Sequence, residues 1–219
     1  MRKLLISAIL LILVLVGCET GTDIDEVNTD GSPIWTTVIP ESNKYLYGVG
    51  RAKLTSAVNS ENAAQSAARA DLARKIQTTI QEAQTSYTAD SSGSVADAYE
   101  RITVETVNIT MRNVKVEQKW TAPDGTVWAL VSFHLNELDD LYSLAANDYL
   151  TQVEAKKIET ENNLAALLLM LSEVEGKDTS QVAAEGTAMA EDIIAQCTEI
   201  LEAIDSDVLA AALAERFDS

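Results

Sequence analysis

Between residues 111 and 135 the apolar side chains are spaced by two instead of by three or four. Val114, Val116 and Trp120 alternate with Asn113, Lys115, Glu117 and Lys119, and Val127, Ala129, Val131, Phe133 and Leu135 share one face of a second run. Period two is the spacing of a pleated strand with one buried face. Between the runs stands Pro123-Asp124-Gly125, which is turn chemistry: Pro presets φ, Asp bonds nearby backbone and Gly reaches positive φ. The two runs therefore predict a β-hairpin. Most of the remaining chain is helical in its spacing, so the expected class is α+β, a small antiparallel sheet of about three strands packed by long helices.

The third strand is expected over Lys44 to Lys53, with Gly48 and Gly50 where something packs closely. Asn59 or Ser60 then offers an N-cap to a helix over about 61–86. Its stripe, Ala64, Ala68, Leu72, Ile76, Ile80 and Ala83, begins with small side chains that allow close approach to a sheet. Polar residues 87–94 read as a loop and 95–107 as a second helix. After the hairpin, Asn136 caps a long helix whose first turn is acidic, as the helix dipole prefers. Leu150, Val153, Leu164, Leu167, Leu171 and Val174 keep 3–4 spacing if Lys157 and Thr160 take two seam positions. Gly176 to Ser180 ends that helix, and Met189, Ile193, Cys197, Ile200 and Ile204 form the stripe of a returning one. Together they predict a helical hairpin.

At the N-terminus Arg2 and Lys3 precede Leu4 to Val16, apolar apart from Ser7, the pattern of a signal peptide and too short for an ordinary membrane span. Leu15-Val16-Gly17-Cys18 resembles the lipobox of bacterial lipoproteins. That resemblance implies cleavage before Cys18, its acylation by palmitate-like chains, and anchoring to a membrane through them. Two or three acyl chains hold a domain stably, at about 0.8 kcal/mol per buried methylene. Glu19 follows Cys18 in place of Asp, which favours the outer over the inner membrane. The expected organisation is a signal peptide over 1–17, a lipidated Cys with a flexible acidic tether over 18–32, a core domain over 33–149 and an acidic helical hairpin over 150–219.

Charge excludes one class of function. The chain carries 16 basic and 34 acidic residues, an excess that repels nucleic-acid phosphates. The acidity belongs to the C-terminal helices: residues 136–219 hold 19 acidic and 4 basic groups, a solvated outer face or a surface for a basic partner.

Catalytic and cofactor signals are missing from the pattern. Gly48-Val49-Gly50 lacks the third glycine of a nucleotide fingerprint and stands about ten residues before its helix. The sole histidine, His134, faces away from Phe133 and Leu135 without a nucleophile or further ligands at suitable spacing. Asp139-Asp140 is accounted for by helix-start acidity. No catalytic residue, metal ligand or cofactor is therefore assigned. With Cys18 lipidated, Cys197 is the one thiol left, expected as a small buried hydrophobe. Trp35, Trp120 and Trp128 suit a core; the last two, flanking the turn, also suit a recognition patch. With Leu164, Leu167 and Leu171 on the helical stripe, Trp120 and Trp128 are the candidate interaction surface.

Pro33-x-Trp35, Tyr47-Gly48-Val49-Gly50-x-Ala52 and Ala63…Ala67-Ala68-Arg69-Ala70-x-Leu72…Ile76 resemble the LPP-twenty family of bacterial surface lipoproteins, over about residues 33–150. The resemblance implies a non-enzymatic α+β envelope protein with a structural or assembly role, linked to flagellar or cell-surface structures. The added hairpin departs from the family and is expected to bind a protein partner or further copies of the chain. The alternative is a module holding a lipid, peptide or glycan fragment in a groove between the sheet and the Ala-rich helix.

Overall fold

Residues 127–133 are apolar at every position except Ser132, a run that suits a strand covered on both faces. In the computed structural model, which describes residues 24–88, 91–173 and 180–217, that run is strand β3 (Val127–His134). It lies between β1 (Tyr45–Ala52) and β2 (Lys115–Thr121), antiparallel to both. The helices are α1 (Ala57–Thr88), α2 (Gly93–Asn113), α3 (Leu138–Glu173), α4 (Ser180–Ala203) and α5 (Ser206–Phe217). The class is α+β, as expected.

The hairpin closes where the turn residues stand. Gly125 has φ +86°, and its N–H donates to the Ala122 carbonyl at 2.9 Å. Val116 pairs with Val131 while Gln118 pairs with Leu130, so Glu117 is an extra residue in β2. A bulge reverses the alternation beyond it. Val116 packs against the main core, but Trp120, expected on the same face, is the register partner of Trp128 and faces the other way.

One sheet face is covered by α1. Ala64, Ala68, Leu72, Ile76 and Ile80 are all fully buried, and the helix lies directly on β1. A Cβ at Gly48 would stand 2.7 Å from Leu72 Cβ and 2.9 Å from Leu72 N; one at Gly50 would stand 2.7 Å from the Ala67 carbonyl carbon. Contact this close leaves no room for a ligand between the sheet and the Ala-rich helix at Gly48 and Gly50. Helix α1 also starts earlier than Asn59 or Ser60, because the Ser60 hydroxyl reaches back to accept the Leu54 N–H at 2.8 Å. Helix α2 runs past residue 107 to Asn113, where Arg69 of α1 donates to the carbonyls of Met111 and Val114 at 3.1 and 3.4 Å.

Leu138, Tyr142, Ala145, Ala146 and Val153 of α3 join the same core, as do Cys197 and Ile200 of α4, Ile204, and Leu209 and Leu213 of α5. Cys197 is thus the buried hydrophobe expected. Between residues 154 and 196, by contrast, no residue of described burial is buried. Lys157 and Thr160 do occupy the half-buried seam with Leu164, Leu167 and Leu171. Met189 does not: it is 69% exposed, and Gly186 and Ala190 take the seam instead. The heptad steps back three residues from Ile193, which lets α4 approach α3 over small side chains. A Cβ on Gly186 would stand 3.0 Å from Leu167 Cδ2.

Candidate functional site

The second face of the sheet carries Tyr45, Tyr47, Val49 and Arg51 from β1, Trp128, Leu130, Ser132 and His134 from β3, and Trp120 from β2. Its middle is covered by the chain from Ile24 onward. Residues 24–32 were expected as the end of a flexible tether. They instead fold into a turn, with an isolated bridge between Val27 and Pro33, the Ile34 N–H donating to the Glu26 carbonyl at 2.8 Å, and Gly31 at φ +80°. Polar residues need not bury apolar area to be ordered when turn and side-chain hydrogen bonds satisfy them. Asp30 Oδ1 accepts from the Ser32 hydroxyl at 2.6 Å and from its N–H at 2.9 Å, which holds the Asp30 carboxyl below the usual range.

Trp35 clamps this segment down. It is 1% exposed, and its indole N–H donates to Gln118 Oε1 at 2.6 Å, while Gln118 Nε2 donates to Asp25 Oδ1 at 2.7 Å. Trp35 and Leu130 are buried outside the main cluster, so they form a second, smaller core on this face. Beside it lies an open groove of about 510 Å³ lined by Thr36, Thr37, Arg51, Trp120, Asp124 and Trp128, among others. The Arg51 guanidinium sits 5.3 Å from the centre of the Trp128 ring. Trp120 and Trp128 are thus neighbours across the hairpin, as their spacing implied, and both are half-buried.

Both edges of the sheet are guarded. Along β1, the Val49 N–H donates to Asp71 Oδ2 at 3.2 Å and the Tyr47 carbonyl accepts from Lys75 Nζ at 2.6 Å. Burial pushes the Asp71 carboxyl up, but Lys75, the Val49 N–H and Arg74 outweigh it and hold it below the ordinary carboxylate range. Edge β2 carries exposed Lys115 and Lys119 and the bulge at Glu117. Charged side chains and a bulge discourage pairing with another strand. Sequence spacing alone had not revealed the Asp71–Lys75 pair as an edge guard, because both lie on a different element from the strand they cap.

The other candidate residues lie far away. Leu164, Leu167 and Leu171 are half-buried, on the α3 side that faces α4. Their neighbours Leu168, Leu169 and Met170 are 50%, 63% and 64% exposed. Cys18 lies outside the described residues. His134 stacks edge-on against Tyr45 with ring centroids 4.7 Å apart. Among the described residues no group of three His, Cys, Asp or Glu side chains gathers as a metal site would need, and no helix is long and apolar enough to cross a membrane.

Residues 33–134 match the model of the LPP20 lipoprotein family. The matched stretch begins just before Trp35 and ends with β3, so it contains the sheet, α1, α2 and the clamp on the second face; α3, α4 and α5 lie beyond it. No curated protein matches the chain. Among solved structures it is similar to the secreted protein HP1454 of Helicobacter pylori, at 17% identity over 74% of this chain and a TM-score of 0.26. The chain covers 53%, about half, of that protein's length.

Proposed function

We propose that the chain is a non-catalytic lipoprotein of the bacterial envelope, held by acyl chains on Cys18, whose distal hairpin engages protein partners in a structural or assembly role at the cell surface or its appendages. The observation that carries this reading is the stretch of α3 and α4 between residues 154 and 196, in which no residue of described burial is fully buried and Leu168, Leu169 and Met170 stand in water. Large apolar side chains exposed together mark an interaction surface. The guarded sheet edges favour assembly through helices over strand addition. The LPP20 match supports the lipoprotein part of the reading, and Glu19 favours the outer membrane.

Ordered structure from Ile24 shortens the tether. Six residue steps separate Cys18 from Ile24, a reach of at most ~20 Å. The folded body would therefore ride close to the bilayer with its Trp35 face nearest the anchor.

The test joins Val153 to Cys197 by a short turn, removing the distal hairpin while keeping every buried residue of α3, α4 and α5. Acyl-chain labelling and crosslinking in cells then compare this variant with the full chain and with Cys18→Ala. The shortened chain should keep its label and lose its crosslinked neighbours, and Cys18→Ala should lose the label. Unchanged neighbours in the shortened chain would refute the assembly role.

A further inference from the structure

Residues 164–171 read Leu-Ala-Ala-Leu-Leu-Leu-Met-Leu, eight positions without a charge or a hydrogen-bonding side chain. At 100° per residue, the five from Leu167 to Leu171 surround the helix completely. A helix apolar all round is ordinarily one that is covered all round. Here Leu164, Leu167 and Leu171 are half-buried on the side towards α4, while Leu168, Leu169 and Met170 stand in water, as do Ile158 about three turns earlier and Met189 of α4. At 100° per residue Leu168 and Met170 stand on opposite flanks with Leu169 on the outer face between them, towards the far end of a helix about 54 Å long by 1.5 Å per residue. Met supplies two of the side chains, and its unbranched thioether adapts to irregular partners.

The border of the patch says which partner fits. Glu159, Glu161, Glu185, Glu191 and Asp192 are all exposed around it. Over 154–173 and 180–196 the two helices carry seven carboxylates against Lys156 and Lys157, and helix α4 has five acidic residues and no basic one. A second copy laid on this face would double the acid and bring like charges together, and an anionic lipid leaflet would meet the same repulsion. A basic partner meets complementary charge at the rim and apolar surface at the centre, the usual anatomy of a specific interface.

We infer that the distal hairpin is a docking platform for a basic amphipathic helix of another polypeptide, with leucine-like side chains over the adjacent Leu169 and Met170 and Lys or Arg against the carboxylate border. This rests on the assembly reading above and names the chemistry of the partner.

The probe is a fluorescein-labelled helix of Leu/Lys heptads about three turns long or more, titrated into residues 19–219 and followed by anisotropy. A Leu/Glu helix with the same apolar face is the matched control. The Leu/Lys helix should bind, and its affinity should fall about tenfold between low and high salt, because Debye screening removes the rim attraction. The double variant Leu169→Gln with Met170→Gln keeps every charge and alters exposed positions only, so it should fold, as helical circular dichroism would report, and lose at least about tenfold in affinity. Glu185→Gln with Glu191→Gln should weaken binding less and flatten the salt dependence. Absence of Leu/Lys binding, equal binding of the Leu/Glu helix, or full affinity in the Leu169→Gln, Met170→Gln variant would overturn the inference. So would a dimer in sedimentation velocity that this variant abolishes, or binding to phosphatidylglycerol vesicles in preference to the peptide. If the shortened chain loses its neighbours in cells while either peptide result fails, the partner chemistry is wrong and the assembly role stands. If the peptide binds as described and shortening changes no neighbours, the platform stands and the cellular role falls.

Discussion

Gly50→Ala tests the contact on which the fold is built. The added methyl would meet the backbone of α1 at Ala64, Ala67 and Ala68, with the Ala67 carbonyl carbon 2.7 Å away. Ordinary Cβ contacts begin near 3.4 Å, so the helix would have to move by something approaching 1 Å along its most buried stretch. The atoms in the way are backbone, which cannot rotate aside. Overpacking of a tight core costs about 1–3 kcal/mol, and a backbone obstacle argues for the upper end. Replacing a flexible strand glycine returns about 0.5–1 kcal/mol of unfolded-chain entropy, leaving a net loss of roughly 2 kcal/mol. At 2–4 °C per kcal/mol for a domain of this size, Tm should fall by about 4–8 °C. The assay is thermal unfolding of residues 19–219 by circular dichroism, with Gly93→Ala as control, since a methyl there meets nothing within 4 Å. If Gly50→Ala melts within a degree of the parent, α1 does not rest on this strand and the close-packing argument is wrong.

Gly186→Ala should behave oppositely, raising stability by up to about 1 kcal/mol. Its methyl meets only the movable end of Leu167 at 3.0 Å, and alanine is the better helix former; a loss of more than 1 kcal/mol in urea unfolding would contradict this. The Asp71 carboxyl is held below the ordinary carboxylate value in the folded chain, so it stabilises fully above the unfolded value and its contribution drains away as pH falls through the acid range below it. Asp71→Asn should therefore narrow its stability gap to the parent as pH drops from 6 to 3, read by urea midpoints; a gap that widened would reverse the assigned sign. Trp35→Ala removes a residue 1% exposed and the donor to Gln118. It should cost about 3–5 kcal/mol and release the segment before Lys44 to proteolysis, and protection of that segment equal to the parent's would rule out the clamp.

Much of the architecture could be read locally. The two-residue spacing around Pro123-Asp124-Gly125 specified a hairpin because turn and strand preferences agree over a few residues. The Ala64-to-Ile80 stripe and the paired glycines announced a helix lying close on a strand, since both features exist to remove bulk. The candidate site was legible in part: Trp120 and Trp128 were identified as neighbours, and the Leu164–Leu171 stripe as a seam. The exposed residues beside that seam went unremarked, because a run of leucines in sequence looks equally suited to either side of a helix.

Sequence alone determined the three strands, most of the helices, the acid of the C-terminal helices and the lipobox-like Cys18, all properties that depend on neighbours along the chain. Tertiary structure decided what depends on neighbours across it. The bulge at Glu117 turned Trp120 to the second face, which one-dimensional alternation has no means to signal. Trp35 found Gln118, 83 positions away, and drew an acidic segment onto the sheet. Helix α5 returned Leu209 and Leu213 to the core while the far ends of α3 and α4 were left outside it. Only three-dimensional packing can assign which apolar side chains are spent on folding, and so which remain for a partner.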